Sequence, residues 1–312
     1  MLTAGRGTRL GLLSALRAKP ALPVAGDPLV RRILRWLARH EVRDAVLNLH
    51  HRPETITAAV GDGSDLGVRV RYSWEPRLLG SAGGPRHALP LIGAPRFWLV
   101  NGDTLHAMDL TPMARTHAER GALVTMALVA NPRPDRYGGV RVEDGWITGF
   151  TPPGSPGPSW HFIGVQLAEA DAFADLADGE PAESVSGVYR TLVGPGRSRV
   201  AAFVADAPFQ DIGTPADYLA TSLAVARDEG FGDAPPPGAA TRVHRTARLT
   251  RTVVWDEVTI GPDVELTECV VADRAHVPAG LRLERRIVVP AGATGDTTLT
   301  ARAGDGLVAP LD

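Results

Sequence analysis

A short glycine-rich segment at the start of the chain carries residues whose types and spacing could do chemistry. Gly5 and Gly7 stand one residue apart. Backbone N–H groups beside glycines can close on an anion, because no Cβ blocks the approach. Arg9 and Lys19 follow and add positive charge, which suits a polyphosphate under attack. The pattern predicts a phosphate-binding loop.

Other glycine-rich sites fit this segment less well. A dinucleotide-binding fingerprint needs the spacing G-x-G-x-x-G after a strand, whereas Gly5, Gly7 and Gly11 are spaced one residue too widely. A Walker loop needs G-x-x-x-x-G-K-[ST], which this segment lacks. A tight turn with incidental charge is the plain structural alternative. The attached Thr8-Arg9-Leu10 and Lys19-Pro20 disfavour it.

Together, Leu2-Thr3-Ala4-Gly5-Arg6-Gly7-Thr8-Arg9-Leu10 and Lys19-Pro20 resemble the signature of the sugar-1-phosphate nucleotidyltransferases, or NDP-sugar pyrophosphorylases. Further segments follow in the family's order: Glu75 to Gly84; Asn101-Gly102-Asp103-Thr104; Tyr137-Gly138 with Phe162-Ile163-Gly164-Val165; and Gln210-Asp211-Ile212-Gly213-Thr214-Pro215. The resemblance extends from Met1 to about Arg227. Together with its C-terminal extension, the chain is similar to the mannose-1-phosphate guanylyltransferase-like branch of this family.

The resemblance implies a role for each matched residue. Arg9 and Lys19 are the implied catalytic residues, and Asp103 and Asp211 the implied ligands of a Mg²⁺ cofactor. The implied nucleotide-binding residues are Ala4, Gly5, Gly7, Thr8, Gly80, Ser81 and Gly83. Gly138 and Gly164 are the implied sugar-binding residues. Taken alone, an aspartate such as Asp103 could equally cap a turn.

One family segment is altered. Many members carry F-x-E-K-P, whose Glu and Lys bind the sugar and its phosphate, but this chain reads Phe150-Thr151-Pro152-Pro153. Either another cation such as Arg136 or Arg190 takes the phosphate, or the sugar half of the site is impaired. A second departure is the beginning, where only Met1 and Leu2 precede the loop. We expect either a native start upstream of Met1 or a shortened central strand.

Composition excludes several classes of function. The 312 residues carry 33 basic and 35 acidic side chains, for a net charge of −2. Such a balance offers no electrostatic footprint for nucleic acid or an anionic membrane. Cys269 is the single cysteine, which rules out an intramolecular disulfide and fits a reducing cytosol. We therefore expect a cytoplasmic protein with a buried, inert thiol at Cys269.

Strands and helices alternate over the first two thirds of the chain. Helices are predicted from Asp27 and from Pro53, and strands at 45–49, 68–74 and 97–100. Asp144-Gly145 predicts a hairpin, and Thr214 opens a helix as its cap. This order predicts an α/β, Rossmann-like, mostly parallel sheet with helices on both faces. Ligands of such sheets bind beyond the carboxyl ends of the strands, where Asp103 falls.

Beyond a proline-rich linker at 234–240, apolar residues repeat every 17 positions. Val243, Ile260 and Val277 show the period, as do three further series: Ala247, Val264 and Leu281; Leu249, Leu266 and Leu283; Val253, Val270 and Ile287. The period predicts about three coils of a left-handed β-helix. The predicted domains are therefore 1–233 for the catalytic domain and 241–312 for the coils and tail. Appended coils often bury an edge against a partner, so the coils could also form the interface of a homo-oligomer.

The sequence predicts an enzyme that joins an NTP to a sugar 1-phosphate, giving an NDP-sugar and pyrophosphate. The alternative from another class is an impaired homologue that binds NDP-sugar as a regulatory or scaffolding subunit. An acyltransferase built on the coils is disfavoured, because three coils offer little room for an acyl-donor cleft. A glycosyltransferase is disfavoured because Asp103 lacks the D-x-D pattern.

Overall fold

The computed structural model describes residues 1–194, 198–293, 301–303 and 306–312. The α-helices are α1 Leu12–Leu16, α2 Leu29–Arg39, α3 Pro53–Val60, α4 Gly80–Ile92, α5 Leu110–Arg120, α6 Tyr189–Leu192 and α7 Pro215–Asp228. The first strands are β1 Pro23–Val24, β2 Asp27–Pro28, β3 Asp44–Leu49, β4 Arg69–Trp74, β5 Arg96–Val100, β6 Thr104–His106, β7 Val124–Ala130, β8 Gly139–Glu143, β9 Trp146–Thr151, β10 Trp160–Glu169, β11 Val200–Val204 and β12 Phe209–Asp211.

Shorter strands follow in the C-terminal part. They are β13 Arg242–Val243, β14 Arg248–Thr250, β15 Val253–Val254, β16 Thr259–Ile260, β17 Glu265–Thr267, β18 Val270–Val271, β19 His276–Val277, β20 Arg282–Glu284, β21 Arg286–Pro290, β22 Ala301–Ala303 and β23 Gly306–Pro310. Among the described residues, no helix combines the length and apolar character needed to cross a membrane.

The chain forms two compact units. The first comprises Met1–Gly5, Ile33–His51 and Val60–Phe209; the second comprises Arg6–Arg32, Arg52–Ala59 and Gln210–Asp312. The second unit thus groups the coils with a segment that contains Arg9 and Lys19. The bounds drawn from the sequence at 233 and 240 stay a prediction.

The main sheet of the first unit is mixed. Its six strands lie in the order β5-β10-β7-β11-β9-β8. β7 and β11 are parallel, whereas β10 runs antiparallel to both β5 and β7. Four of the five neighbouring pairs in this order are antiparallel, and β10 accounts for two of them because it lies between β5 and β7 in the opposite direction. The expectation of a mostly parallel sheet is therefore wrong for this sheet, although β3 and β4 do form a parallel pair.

Local sequence signals set one hairpin turn and one helix start, but not a second helix start. The hairpin of β8 and β9 turns at Asp144 and Gly145, which both have positive φ. Thr214 caps α7, its Oγ1 accepting from the N–H of Asp217 at 3.1 Å. The helix predicted from Asp27 begins instead at Leu29, because Asp27 and Pro28 pair with Val24 and Pro23 in a tight β1–β2 turn.

Apolar side chains of the six-stranded sheet and of the segments packed on it form the core of the first unit. Met126 and Leu128 of β7 are fully buried there with Phe173 and Tyr189. The Tyr189 hydroxyl donates a short hydrogen bond to Oε1 of Gln166, which satisfies both buried polar groups. This core fixes β5, which leads into the Asp103 loop, and β10, which contains Gly164.

The two residues that open the chain lie between β3 and β5. The Leu2 N–H donates to the Val100 carbonyl at 2.8 Å, and the Met1 amine donates to the Val46 carbonyl at 2.7 Å. Beside them is a cavity of about 230 Å³, lined chiefly by apolar residues that include Leu37, Ala88 and Phe97. Burial lowers the pKa of the Met1 amine from 8.0 to about 5. Met1 and Leu2 therefore bond to both β3 and β5 as residues of an intervening strand would.

The 17-residue period forms three stacked parallel sheets in the second unit. Each strand pairs with the equivalent strand of the next repeat, so that Leu249 faces Leu266 and Leu266 faces Leu283. The three sheets are β13-β16-β19, β14-β17-β20 and β15-β18-β21. Cys269 is buried between the coils, and burial raises the pKa of its thiol, as expected for an inert cysteine. β21, β23 and β22 close the stack as an antiparallel sheet.

Candidate active site

The glycine loop of the second unit packs on the stem of Lys19. Gly7 adopts the left-handed conformation with φ +61° and ψ 32°. A Cβ at this position would lie 3.4 Å from the Cβ of Lys19. A short 3₁₀ turn at Thr8–Leu10 follows, buries Leu10 and leaves Thr8 and Arg9 exposed. The loop therefore presents an exposed cation in Arg9 beside a buried one in Lys19.

Lys19 is distinguished by composition as well as by place. It is the only lysine among the 33 basic residues; the other 32 are arginines. The residue is only 8% exposed and begins a 3₁₀ turn with Pro20 and Ala21. An ammonium is a compact point charge, whereas a guanidinium is a broad planar fork. The use of lysine at this one position of an arginine-rich chain is consistent with a site that needs a compact cation.

The start of the loop is held in the first unit by a buried polar network. Oδ1 of Asn48 accepts from the N–H of Thr3 at 2.6 Å, and its Nδ2 donates to Oε1 of Glu75 at 2.7 Å. The other oxygen of Glu75 accepts from the N–H of Leu79 at 2.9 Å. A Cβ at Gly84 would collide with both Glu75 and Asn48. The network links the chain preceding Gly5 to the segment that enters α4.

That segment contains the second group of predicted nucleotide-binding residues. Gly80 has φ +76°, and a Cβ there would lie 2.6 Å from Oε1 of Glu183. The Ser81 hydroxyl donates to Oε2 of Glu183 at 2.6 Å and accepts from the N–H of Ser184 at 2.8 Å. Gly83 is buried against the carbonyl of Glu180. Residues 180–184 therefore pack directly on the first turn of α4, the Gly80–Gly83 turn, and fix its shape.

Asp103 lies beside the predicted sugar-binding Gly164. It follows β5, and the N–H of Asn101 donates to the carbonyl of Gly164 at 2.8 Å. Gly164 has φ +84°, and a Cβ there would lie 2.9 Å from the Cβ of Asn101. The glycine thus permits close approach of β10 to the Asp103 loop. Nearby in sequence, burial lowers the pKa of His106 to about 4 although Asp103 opposes the shift, so this ring is neutral at pH 7.

The predicted sugar side is lined by rings. Gly138 lies against the carbonyl of Thr151, where the family's Glu-Lys pair is missing. Tyr137 stacks on His161 with ring centroids 4.3 Å apart, and Phe209 lies 5.4 Å from His161. Burial lowers the pKa of His161 despite a hydrogen bond with the Gly138 backbone. This surface is aromatic, and the guanidinium carbon of Arg136 lies 5.6 Å from the centroid of the Tyr137 ring.

Asp211 ends β12 in the second unit, three residues before the Thr214 cap of α7. The side chain is partly exposed. Placement between a strand end and a capped helix gives the carboxylate a fixed backbone position.

The predicted residues divide between the two units. The second contains Gly7, Thr8, Arg9, Lys19 and Asp211, and the first contains Ala4, Gly5, Gly80, Ser81, Gly83, Asp103, Gly138 and Gly164. Within the first unit, the structure brings Gly164 to the Asp103 loop. Sequence reasoning missed Asn48 and Glu183, which carry no motif of their own. It also missed that Lys19 is the sole lysine, a signal that composition could have given.

Residues 1–228 match the family described as nucleotidyl transferase. The mannose-1-phosphate guanylyltransferase of Mycobacterium tuberculosis is 29% identical over 301 residues, which cover 91% of this chain and 82% of that protein. The D-glycero-alpha-D-manno-heptose 1-phosphate guanylyltransferase of Aneurinibacillus thermoaerophilus is 27% identical over 220 residues, 70% of this chain and 94% of that protein.

The fold is also shared with a solved structure, that of HddC from Yersinia pseudotuberculosis complexed with GMP-PN. The TM-score is 0.63 at 24% identity, over 72% of this chain and 97% of that one. The family match spans well over half of the 312 residues. The chain therefore belongs to the nucleotidyl transferase family, and the resemblance of its sequence to the sugar-1-phosphate nucleotidyltransferases is confirmed.

Proposed function

We propose that this protein transfers a nucleoside monophosphate from an NTP to a sugar 1-phosphate, giving an NDP-sugar and pyrophosphate. The observation that carries the proposal is the packing of Gly7 on the stem of Lys19, with Arg9 exposed in the intervening turn. Bare backbone and two unlike cations in one short segment suit the binding and neutralisation of a polyphosphate. The names of the relatives support the same reaction class.

The chemistry asks little of a general base. A sugar phosphate oxygen is already anionic when it attacks the α-phosphorus, so positioning and charge neutralisation supply most of the rate enhancement. Arg9 would bind the triphosphate and the charge that develops on it. Lys19 would contact phosphate near the reacting centre from its buried position.

The acids fit a magnesium cofactor. Mg²⁺ is usually held by one or two carboxylates together with substrate phosphates and water, rather than by an all-protein cage. Asp103 and Asp211 supply two carboxylates, and the described residues contain no group of three or more His, Cys, Asp or Glu that would suit a caged metal. We assign these two aspartates to the ion, which would neutralise phosphate charge when bound.

The remaining assignments concern recognition. The rigid Gly80–Gly83 turn would face the nucleobase, and Ala4, Gly5 and Thr8 the phosphates. Gly138 and Gly164 would let the sugar approach backbone beside the aromatic surface. Arg136 or Arg190 would replace the missing lysine as partner of the sugar phosphate. GTP and mannose 1-phosphate are the first pair to test, because the M. tuberculosis relative that matches 91% of the chain bears that name.

A pyrophosphate-release assay across four NTPs and several sugar 1-phosphates tests the reaction. We expect Asp103→Asn and Asp211→Asn each to lower kcat at least 100-fold, since loss of a single positioned charge commonly costs that much. Asp175→Asn is the matched control, because Asp175 is exposed in the same unit as Asp103. Undiminished activity of Asp103→Asn would overturn the metal assignment.

The altered Thr151-Pro152 segment favours a second candidate. A homologue without the Glu-Lys pair could bind NDP-sugar as a regulatory or scaffolding subunit. Tight NDP-sugar binding by calorimetry, without pyrophosphate release for any substrate pair, would favour this role over catalysis. We also propose that the coils wind as a left-handed β-helix and that the protein acts in the cytoplasm, alone or as a homo-oligomer through the coils.

A further inference from the structure

One arginine joins the Lys19 segment to the coils, and no sequence motif assigned it a role. Arg17 ends helix α1, two residues before Lys19. Its Nε donates to Oδ2 of Asp273 at 2.6 Å, and its Nη2 donates to Oδ1 of Asp273 at 2.6 Å and to Oδ2 of Asp256 at 2.5 Å. The guanidinium carbon lies 5.4 Å from the centroid of the Trp255 ring. All four residues belong to the second unit.

The two carboxylates occupy equivalent positions of successive coils. Asp256 and Asp273 are 17 residues apart, one full repeat, and the Asp256 N–H donates to Oδ1 of Asp273 at 3.1 Å. Both lie in the turns that follow β15 and β18, and like charges stacked one repeat apart repel one another. Bidentate pairing with a guanidinium offsets that repulsion and fixes the planar group in one orientation. The paired carboxylates are therefore a built receptor for Arg17.

Burial makes this contact rigid. The side chains of Arg17 and Asp273 are only 17% and 14% exposed. Burial lowers the pKa of Arg17, but the hydrogen bonds that Arg17 donates to Asp273 and Asp256, with the charges of these carboxylates, outweigh it and raise the pKa above its ordinary value. An ion pair shielded from water is costly to break, because one partner would be left buried and unpaired.

A second contact holds the other end of the same segment. The Trp255 Nε1–H donates to the Tyr218 hydroxyl at 2.8 Å, and that hydroxyl donates to the Pro23 carbonyl at 2.5 Å. Trp255 and Tyr218 are both fully buried. Residues 17–23, which contain Lys19, are thus held at both ends by groups that the coils and α7 supply.

We propose that Arg17 is a positioning residue for Lys19, and that the coils fix the catalytic lysine through the Arg17 tether, defined as Arg17 with Asp256 and Asp273. Only Ala18 separates Arg17 from Lys19, and Ala18 is itself fully buried with its N–H bonded to Oγ1 of Thr55 at 3.1 Å. Little slack remains between the tether and the lysine. The expected loss of transfer activity rests on the proposed function, whereas the expected change in the exposure of Lys19 does not.

The tether is tested by the accessibility of Lys19. Because this residue is the only lysine, reductive methylation followed by peptide mass spectrometry measures its reactivity alone. We expect Asp273→Asn and Arg17→Met to raise the methylation rate of Lys19 at least severalfold. Asp256→Asn, which weakens one acceptor of Arg17 but keeps the bidentate contact with Asp273, should fall between them and the wild type.

The matched control is Glu268→Gln. Glu268 accepts from Arg251 and Arg285 at 3.0 Å each, so it is another ion pair between successive coils, without a bond to residues 17–23. The Glu268→Gln substitution should leave the methylation rate of Lys19 unchanged. Equal increases in Glu268→Gln and Asp273→Asn, or no increase in Asp273→Asn, would refute the tether.

Kinetics separate positioning from folding. In the pyrophosphate-release assay we expect Asp273→Asn to lower kcat by about 10- to 100-fold, with KM for the NTP nearly unchanged, since misplacement of a group by about 1 Å can cost that much. The double variant Arg17→Met/Asp273→Asn should be no slower than Arg17→Met alone. A wild type without transfer activity would refute the proposed function, while the methylation rates would still decide the tether.

Discussion

The buried amine of Met1 gives a prediction whose size follows from the structure. An ammonium in the apolar slot between β3 and β5 loses hydration, and the pKa falls from 8.0 to about 5. The unfolded chain then binds a proton that the folded chain does not, so stability falls as the pH is lowered from 8 to 5. A shift of three pKa units, at 1.36 kcal/mol each, lowers the free energy of unfolding by about 4 kcal/mol below pH 5. At pH 7 the cost is about 1.4 kcal/mol.

Two modifications separate the effect of the Met1 charge on stability from the effect of the unfilled cavity. Acetylation of Met1 removes the charge and adds only a small acetyl group, so it should stabilise the chain by about 1.4 kcal/mol at pH 7 and by more at pH 5. An added apolar segment of four residues before Met1 removes the charge and also fills the cavity of about 230 Å³. Each buried aliphatic side chain contributes roughly 1.5–3 kcal/mol, against about 1–2 kcal/mol for ordering its backbone. We therefore expect the extension to stabilise more than acetylation.

Urea unfolding at pH 5, 6, 7 and 8 measures these differences. A Gly-Ser-Gly-Ser extension is the matched control, because it adds length without apolar surface. The free and acetylated chains should differ in a pH-dependent way, and the difference should vanish near pH 8.5. The same pH dependence in both forms would refute the burial of the amine, and equal stabilisation by both extensions would refute filling of the cavity.

Two further predictions concern the first unit. Gly164→Ala should lower the free energy of unfolding by about 2–3 kcal/mol and reduce pyrophosphate release, because a Cβ would press on Asn101 beside Asp103. Gly154→Ala shares the positive φ but meets no atom within 4 Å, so it should cost only about 1 kcal/mol; equal costs in chemical denaturation would exclude the steric argument. Burial raises the pKa of Glu169, but hydrogen bonds from His117 and Arg96 outweigh it and lower the pKa below 4.5. The stabilisation is therefore present above pH 4.5 and lost as the pH falls through the folded value. Glu169→Gln should unfold more easily at pH 7 and show a flatter decline from pH 5 to 3 than the wild type. Glu180→Gln, which breaks an exposed pair with Arg77, should follow the wild type, and an identical acid profile of Glu169→Gln would contradict the assignment.

The sequence determined the features that arise within a few residues. The 17-residue period predicted the coil register, because each apolar residue is buried by its equivalent one repeat away. Asp144-Gly145 and Thr214 predicted their turn and cap because both depend on local backbone geometry. Gly5, Gly7, Arg9 and Lys19 indicated phosphate chemistry for the same reason, since one short loop contains them.

Tertiary structure decided what distant residues do to one another. The antiparallel course of β10 depends on which strands flank it, and no pattern within β10 states that choice. Asn48 meets Thr3 across 45 positions, and Arg17 meets Asp273 across 256. Hydrogen bonds of that kind follow from packing a whole unit around one core, so a local pattern cannot encode them. The loop's chemistry was legible in the sequence, while the groups that hold the loop rigid emerged only from the fold.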